Sequence, residues 1–121
     1  MSARTVRVNE LIQRELNDIL RQRYQSEALA ITVTEVRVSP DLREGRVFVS
    51  ILGDPEEVGR RFRWLRRHAP AIRGEVGRRI VLKFLPRFEY KLDKSASQTA
   101  RLMELLDQVE GKPPQGPPGA P

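Results

Sequence analysis

The sequence predicts an α+β domain in which helices cover one face of a three-stranded mixed sheet. Two stretches, about 5–24 and 55–80, repeat apolar residues at helical spacing. Two β-branched runs, ALAITVTEVRVS and RVFVSIL, flank the turn-rich SPDLREG and read as a hairpin. A third run, VLKFLPRFEYKLD, returns only after the second helical stretch, and a strand reached by such a crossover lies parallel to a neighbour.

Taken in order, Val8, Leu11, Ile12, Leu16, Ile19 and Leu20 form one stripe of a helix from Thr5 to about Tyr24. Glu10, Arg14 and Asp18 follow at four-residue intervals on another face, where they can pair. In the first strand the apolar phase shifts from Ile31 and Val33 to Val36 and Val38, which predicts a bulge or two-sided burial near Thr34 and Glu35. Pro, Asp and Gly in SPDLREG supply the turn, and Val47, Val49 and Ile51 give the second strand its inward face.

The segment GDPEEVG starts the next helix. Asp54 is the expected cap, Pro55 fits the first helical position, and Glu57 completes a capping-box spacing. Val58, Phe62, Leu65 and Ala69 make an inward stripe, with Arg60, Arg63, Trp64 and Arg67 opposite. Proline disfavours helical backbone for the residue before it, so two short helices are expected to meet at a bend formed by His68, Ala69 and Pro70. Ile72, Val76 and Ile80 carry the second of them. In the third strand Phe84, Phe88, Tyr90 and Leu92 are expected to face the core, and Pro86 argues for an edge or a bulge. A last helix is expected over about 97–109, on Leu102, Leu105, Leu106 and Val109. Residues 1–110 then form one domain, and the Pro/Gly-rich remainder, 111–121, is expected to be disordered.

Charge is concentrated. Between Arg60 and Lys83 stand nine Arg or Lys residues and a single acid, Glu75, while the rest of the chain holds 13 basic and 15 acidic groups. A cationic patch on a near-neutral body suits a polyphosphate partner better than an anionic membrane surface. No window approaches the 18 apolar residues of a membrane span, and MSARTVRVNE lacks the apolar run of a secretion signal, so a cytoplasmic protein is expected. The chain has no cysteine and only one histidine, which excludes disulfides, thiolate metal sites and paired-imidazole chelation. Its acids are scattered along helix faces opposite basic partners, and no activated nucleophile or carboxylate pair stands out; neither an enzyme nor a cofactor or metal is expected.

The element order is that of a type II KH-like RNA-binding domain. RVNELIQRELNDIL, TVTEVRVSPDLREGRVFVSIL and IRGEVGRRIVLKFLPRFEYKLDKS are similar, in order and spacing, to the bacterial ribosome-binding factor A family, from about Arg7 to Leu106. The resemblance implies a monomeric cytoplasmic assembly factor. It would bind the immature small (30S) ribosomal subunit and its 16S rRNA, promote late maturation and rRNA processing, support growth in the cold, and be released with help from an assembly GTPase. The sequence departs from the family in two places. His68, Ala69 and Pro70 stand where Ala-x-Gly is common, and Ser26, Glu27 and Ala28 stand where Asp-Pro-Arg is common.

The candidate phosphate contacts are Arg60, Arg61, Arg63, Arg66, Arg67, Arg73, Arg78, Arg79 and Lys83, of which helical geometry lets only about five or six act together. Trp64 is the candidate base-stacking residue; the other reading has it covering the helix flank or stacking with Arg67. His68 reads as a partly exposed residue at a helix end. GEVG at Gly74–Gly77 resembles the Gly-x-x-Gly backbone clamp of KH domains, but as a loop it would leave barely one turn of helix before the third strand, and Glu75 would repel phosphate. Two other partners compete: an acidic protein held by the same basic face, and double-stranded DNA, for which no recognition helix with base-reading Asn, Gln and Arg is present.

Overall fold

The computed structural model describes residues 3–93 of the 121. Its elements are α1 (Ala3–Arg23), β1 (Ile31–Val38), β2 (Glu44–Ile51), α2 (Pro55–Arg79) and β3 (Arg87–Leu92). The C-terminal helix expected at 97–109 and the tail at 111–121 lie outside the described residues. Strand β2 is central, antiparallel to β1 and parallel to β3, as the crossover requires. The helices and the mixed sheet follow the α-β-β-α-β order of a type II KH-like domain.

The bulge sits where the apolar phase shifts. Pairing runs Val33 to Val49 and then Glu35 to Phe48, leaving Thr34 as the extra residue. Its hydroxyl donates to Asp93 Oδ2 at 2.6 Å, which ties the bulge to the residue just past β3. The hairpin turn differs from expectation. Gly45 lies inside β2, and the left-handed residue is Leu42, at φ 61°. Burial of Leu42 and its N–H bond to the Ser39 carbonyl (2.8 Å) hold that uncommon conformation.

The core lies between the helices and one face of the sheet. Ile12 and Ile19 of α1, Val47 and Val49 of β2, and Leu65, Ile72 and Val76 of α2 are wholly buried. Helix α1 also closes the outer edge of β1 with amides spaced one turn apart. Asn17 exchanges two bonds with the Val33 backbone (2.8 and 3.0 Å), Gln13 donates to the Thr34 carbonyl (3.2 Å), and Asn9 accepts from Val38 N–H (2.9 Å). A sheet edge that would otherwise recruit another strand is thereby satisfied within the chain.

Helix α2 begins as predicted. Asp54 accepts from Glu57 N–H (2.8 Å), Glu57 reaches back to Asp54 N–H (3.0 Å), and Pro55 opens the helix. The preceding Gly53 sits at φ 133°, and a Cβ there would come 2.8 Å from an Arg61 nitrogen and 2.9 Å from Glu57 Cβ, so only glycine fits.

Two expectations need correction. The two short helices are one continuous 25-residue helix with Pro70 in its interior, so His68, Ala69 and Pro70 do not separate two elements. Proline forfeits one backbone bond and costs about 3 kcal/mol relative to alanine. Against that, Leu65 before it and Ile72 and Val76 after it are wholly buried in the same core, at roughly 1.5–3 kcal/mol each. Packing outweighs the local penalty. The third strand, in turn, starts at Arg87, and residues 80–86 form a loop. Phe84 therefore does not share the core-facing side with Tyr90: it is 49% exposed.

Candidate nucleic-acid interface

The sequence treats its arginines alike, but the fold divides them. Arg60, Arg63 and Arg67, at i, i+3 and i+7 of α2, are exposed on one face with no acidic partner among the described residues. Arg78 lies 18 residues beyond Arg60, which is five helical turns, or about 27 Å along an ideal axis. Its side chain is 66% exposed, with one bond to Glu75 (2.5 Å). Between these charges the outer face carries only Pro70, Ala71 and Gly74. Arg66 is exposed beside this row, its guanidinium 5.9 Å from the Phe62 ring centre. Lys83 is exposed on the loop after the helix, its ammonium 5.6 Å from the Phe84 ring.

Three other predicted contacts are committed within the molecule. Arg61 donates to the Leu52 carbonyl (2.9 Å) and lies 3.8 Å from Glu57. Arg73 donates to the carbonyls of Leu85 (2.7 Å) and Pro86 (2.9 Å), clamping the 80–86 loop against α2. Arg79 bonds to Asp18 (2.6 Å), Glu15 (3.2 Å), Glu75 (3.4 Å) and Gln22 (3.2 Å), joining α2 to α1. Its bond to Asp18, with those to Glu15 and Glu75, raises the guanidinium pKa above its ordinary value despite some desolvation. Glu75, the single acid of the basic stretch, is held below the usual glutamate range, chiefly by Arg78 and then by Arg23 and Arg79.

Trp64 is not spread among the arginines. It is half-buried against the core, stacked on His68 (centroids 4.3 Å, 26° between planes) and meeting Tyr24 edge-on (5.3 Å). His68 sits in mid-helix, and its Nδ1 donates to the Trp64 carbonyl (2.9 Å); because a carbonyl only accepts, Nδ1 carries the proton. Tyr24, which the sequence reading did not single out, completes the cluster from just beyond α1. The GEVG motif lies wholly inside α2, so it forms no clamp loop; a Cβ on Gly77 would stand 3.1 Å from the Leu85 side chain, which would have to shift slightly to admit it.

An outward row of unpaired guanidinium groups on a continuous helix can meet successive phosphates. The Ribosome-binding factor A family pattern matches residues 4–106. The chain belongs to the ribosome-binding factor A family. One relative, ribosome-binding factor A of Opitutus terrae, is 62% identical over 117 residues, spanning 97% of this chain and 96% of that one. The crystal structure of ribosome-binding factor A from Thermus thermophilus superposes with a TM-score of 0.64 at 23% identity, over 73% of this chain and 94% of that one. Coordinates of the Thermus thermophilus factor fitted into a cryo-EM map of a 30S complex match with a TM-score of 0.59, also at 23% identity, over 71% of this chain and 91% of that one. At that identity the structural likeness carries the fold. Among the described residues, no helix is long and apolar enough to cross a membrane.

Proposed function

We propose that this chain is a non-catalytic assembly factor that binds the small ribosomal subunit through the outer face of α2. In this reading Arg60, Arg63, Arg66, Arg67, Arg78 and Lys83 contact 16S rRNA phosphates. The protein acts in the cytoplasm as a monomer on an immature subunit, promotes late maturation and rRNA processing, and leaves with the help of an assembly GTPase. Arg61, Arg73 and Arg79 hold the face in shape, and the Trp64 cluster supports it from behind.

The observation that carries the proposal is the unpaired row Arg60, Arg63 and Arg67 on a member of this family. Guanidinium groups without an acidic partner pay no exchange of ion pairs on meeting phosphate, whereas Arg79 would have to leave two carboxylates of α1. Co-sedimentation of the full chain with purified small subunits, large subunits and duplex DNA at two salt concentrations tests the reading. Preference for small subunits that weakens with salt is expected. Equal binding to all three reduces the face to a general polyanion binder. Retention by an acidic protein fraction with no subunit binding favours the adaptor alternative.

A further inference from the structure

Residues 80–86, read from the sequence as strand, form a loop that the described residues leave largely uncovered: Val81 is fully exposed and Phe84 is 49% exposed. The loop is fixed. Arg73 bonds the Leu85 and Pro86 carbonyls, and the Leu85 side chain packs over Gly77. Because β2 and β3 are parallel, the loop that enters β3 lies beside the turn that enters β2, and Arg87 N–H bonds the Arg43 carbonyl at 2.8 Å. That register brings Arg43 to Phe84, with the guanidinium 5.5 Å from the ring centre and the Lys83 ammonium 5.6 Å from it.

A half-exposed aromatic ring on a braced loop, with two cations 5.5 and 5.6 Å from its centre, has the chemistry of a single-stranded nucleic-acid contact: the ring takes a base face and the cations take its phosphates. Neither Arg43 nor Lys83 makes a salt bridge among the described residues; the Arg43 charge acts on Asp41, whose carboxyl it helps hold below its ordinary range, without closing a direct ion pair. We infer that Phe84, with Arg43 and Lys83, stacks an unpaired base of RNA, a site on the loop beyond α2 that shares only Lys83 with the phosphate contacts named above. The inference rests on the RNA-binding reading above, but it adds a ligand class: α2 meets backbone of any form, while Phe84 needs an unstacked base.

Anisotropy of a short labelled single-stranded uridine RNA, titrated with the full chain at low salt, tests this. Phe84→Ala should lose roughly 5- to 100-fold in affinity, the range expected for one lost base stack, with an unchanged salt slope; Phe84→Tyr should bind like the parent. Lys83→Gln should instead lower the salt slope by about 0.7. Should Phe84→Ala unfold, the parent's Phe84 ring resonances still report, since they must shift on adding RNA. Unchanged affinity of Phe84→Ala at unchanged melting, or unmoved ring resonances, overturns the site. Parent protein that binds small subunits but no single strand also overturns it while the proposed function stands; failure to bind subunits sinks the function itself. Loss of subunit binding in Phe84→Ala with single-strand affinity intact assigns the ring to a protein contact and again rejects the inference.

Discussion

Arg67 and Arg79 lie 12 residues apart on one helix, yet only Arg67 is available to a ligand. The difference is tertiary. Glu15 and Asp18, which hold Arg79, come from α1, more than 60 residues away in the chain. No local pattern reveals such partners, whereas the Asp54–Glu57 capping box spans three residues and was legible in the sequence. Glu75 makes a test at this scale. Its carboxyl titrates below the ordinary 4.5 in the fold, so ionisation favours folding; that contribution is complete above 4.5 and disappears as pH falls through the lower folded value. Melting of Glu75→Gln should therefore fall less steeply than the parent's between neutral pH and the acid range below 4.5. Parallel melting curves for the two proteins would remove Glu75 as the titrating contact. Trp64 gives a second test, because its ring is engaged with Tyr24 and His68. Trp64→Ala should cost about 2–3 kcal/mol in urea unfolding, less than a fully buried tryptophan. A variant as stable as the parent that binds subunits more weakly would restore the stacking role considered from the sequence.

At the scale of elements, the first helix and the three strands expected within the described residues exist, the two short helices are one, and the errors fall where local rules meet packing. Proline at position 70 argues for a break, but neighbours wholly buried on the same core carry the helix through it. Pro86, expected within the third strand as the mark of an edge or a bulge, instead precedes it: β3 begins at Arg87 and lies at the edge of the sheet. Alternation of Phe84, Phe88, Tyr90 and Leu92 misled at its two ends: Phe84 falls in the loop before Arg87 and Leu92 is exposed, while Tyr90 is buried and Phe88 packs half-buried against the core. Pro70→Ala restores the backbone donor toward Arg66 and should raise unfolding stability by about 1–3 kcal/mol. A lower melting temperature would mean that the ring is part of a bend on which the core packing depends. On α1, Asn17→Ala removes the side-chain partner of Val33 N–H and leaves the Val33 carbonyl only the longer bond from Gln13 (3.3 Å), which should cost about 1–3 kcal/mol by urea titration. An unaffected midpoint would mean that water replaces the amide without loss.

For the molecule as a whole, the sequence revealed the fold class, the crossover and the location of the charge, since these depend on periodicity and composition. It did not reveal which cations face outward together, since that depends on how α1 docks on α2. The consequence is a division of labour along α2, with Arg61, Arg73 and Arg79 bonded inward and Arg60, Arg63 and Arg67 directed outward. The most direct measurement is the salt dependence of binding to purified small ribosomal subunits, for the parent and for Arg60, Arg63 and Arg67 changed together to Gln. With about five phosphate contacts the parent slope should be near −4, and the triple variant should lose roughly 2 to 2.7 of it at unchanged melting temperature. A slope identical in both proteins would show that this arginine row does not meet RNA, and would contradict the account.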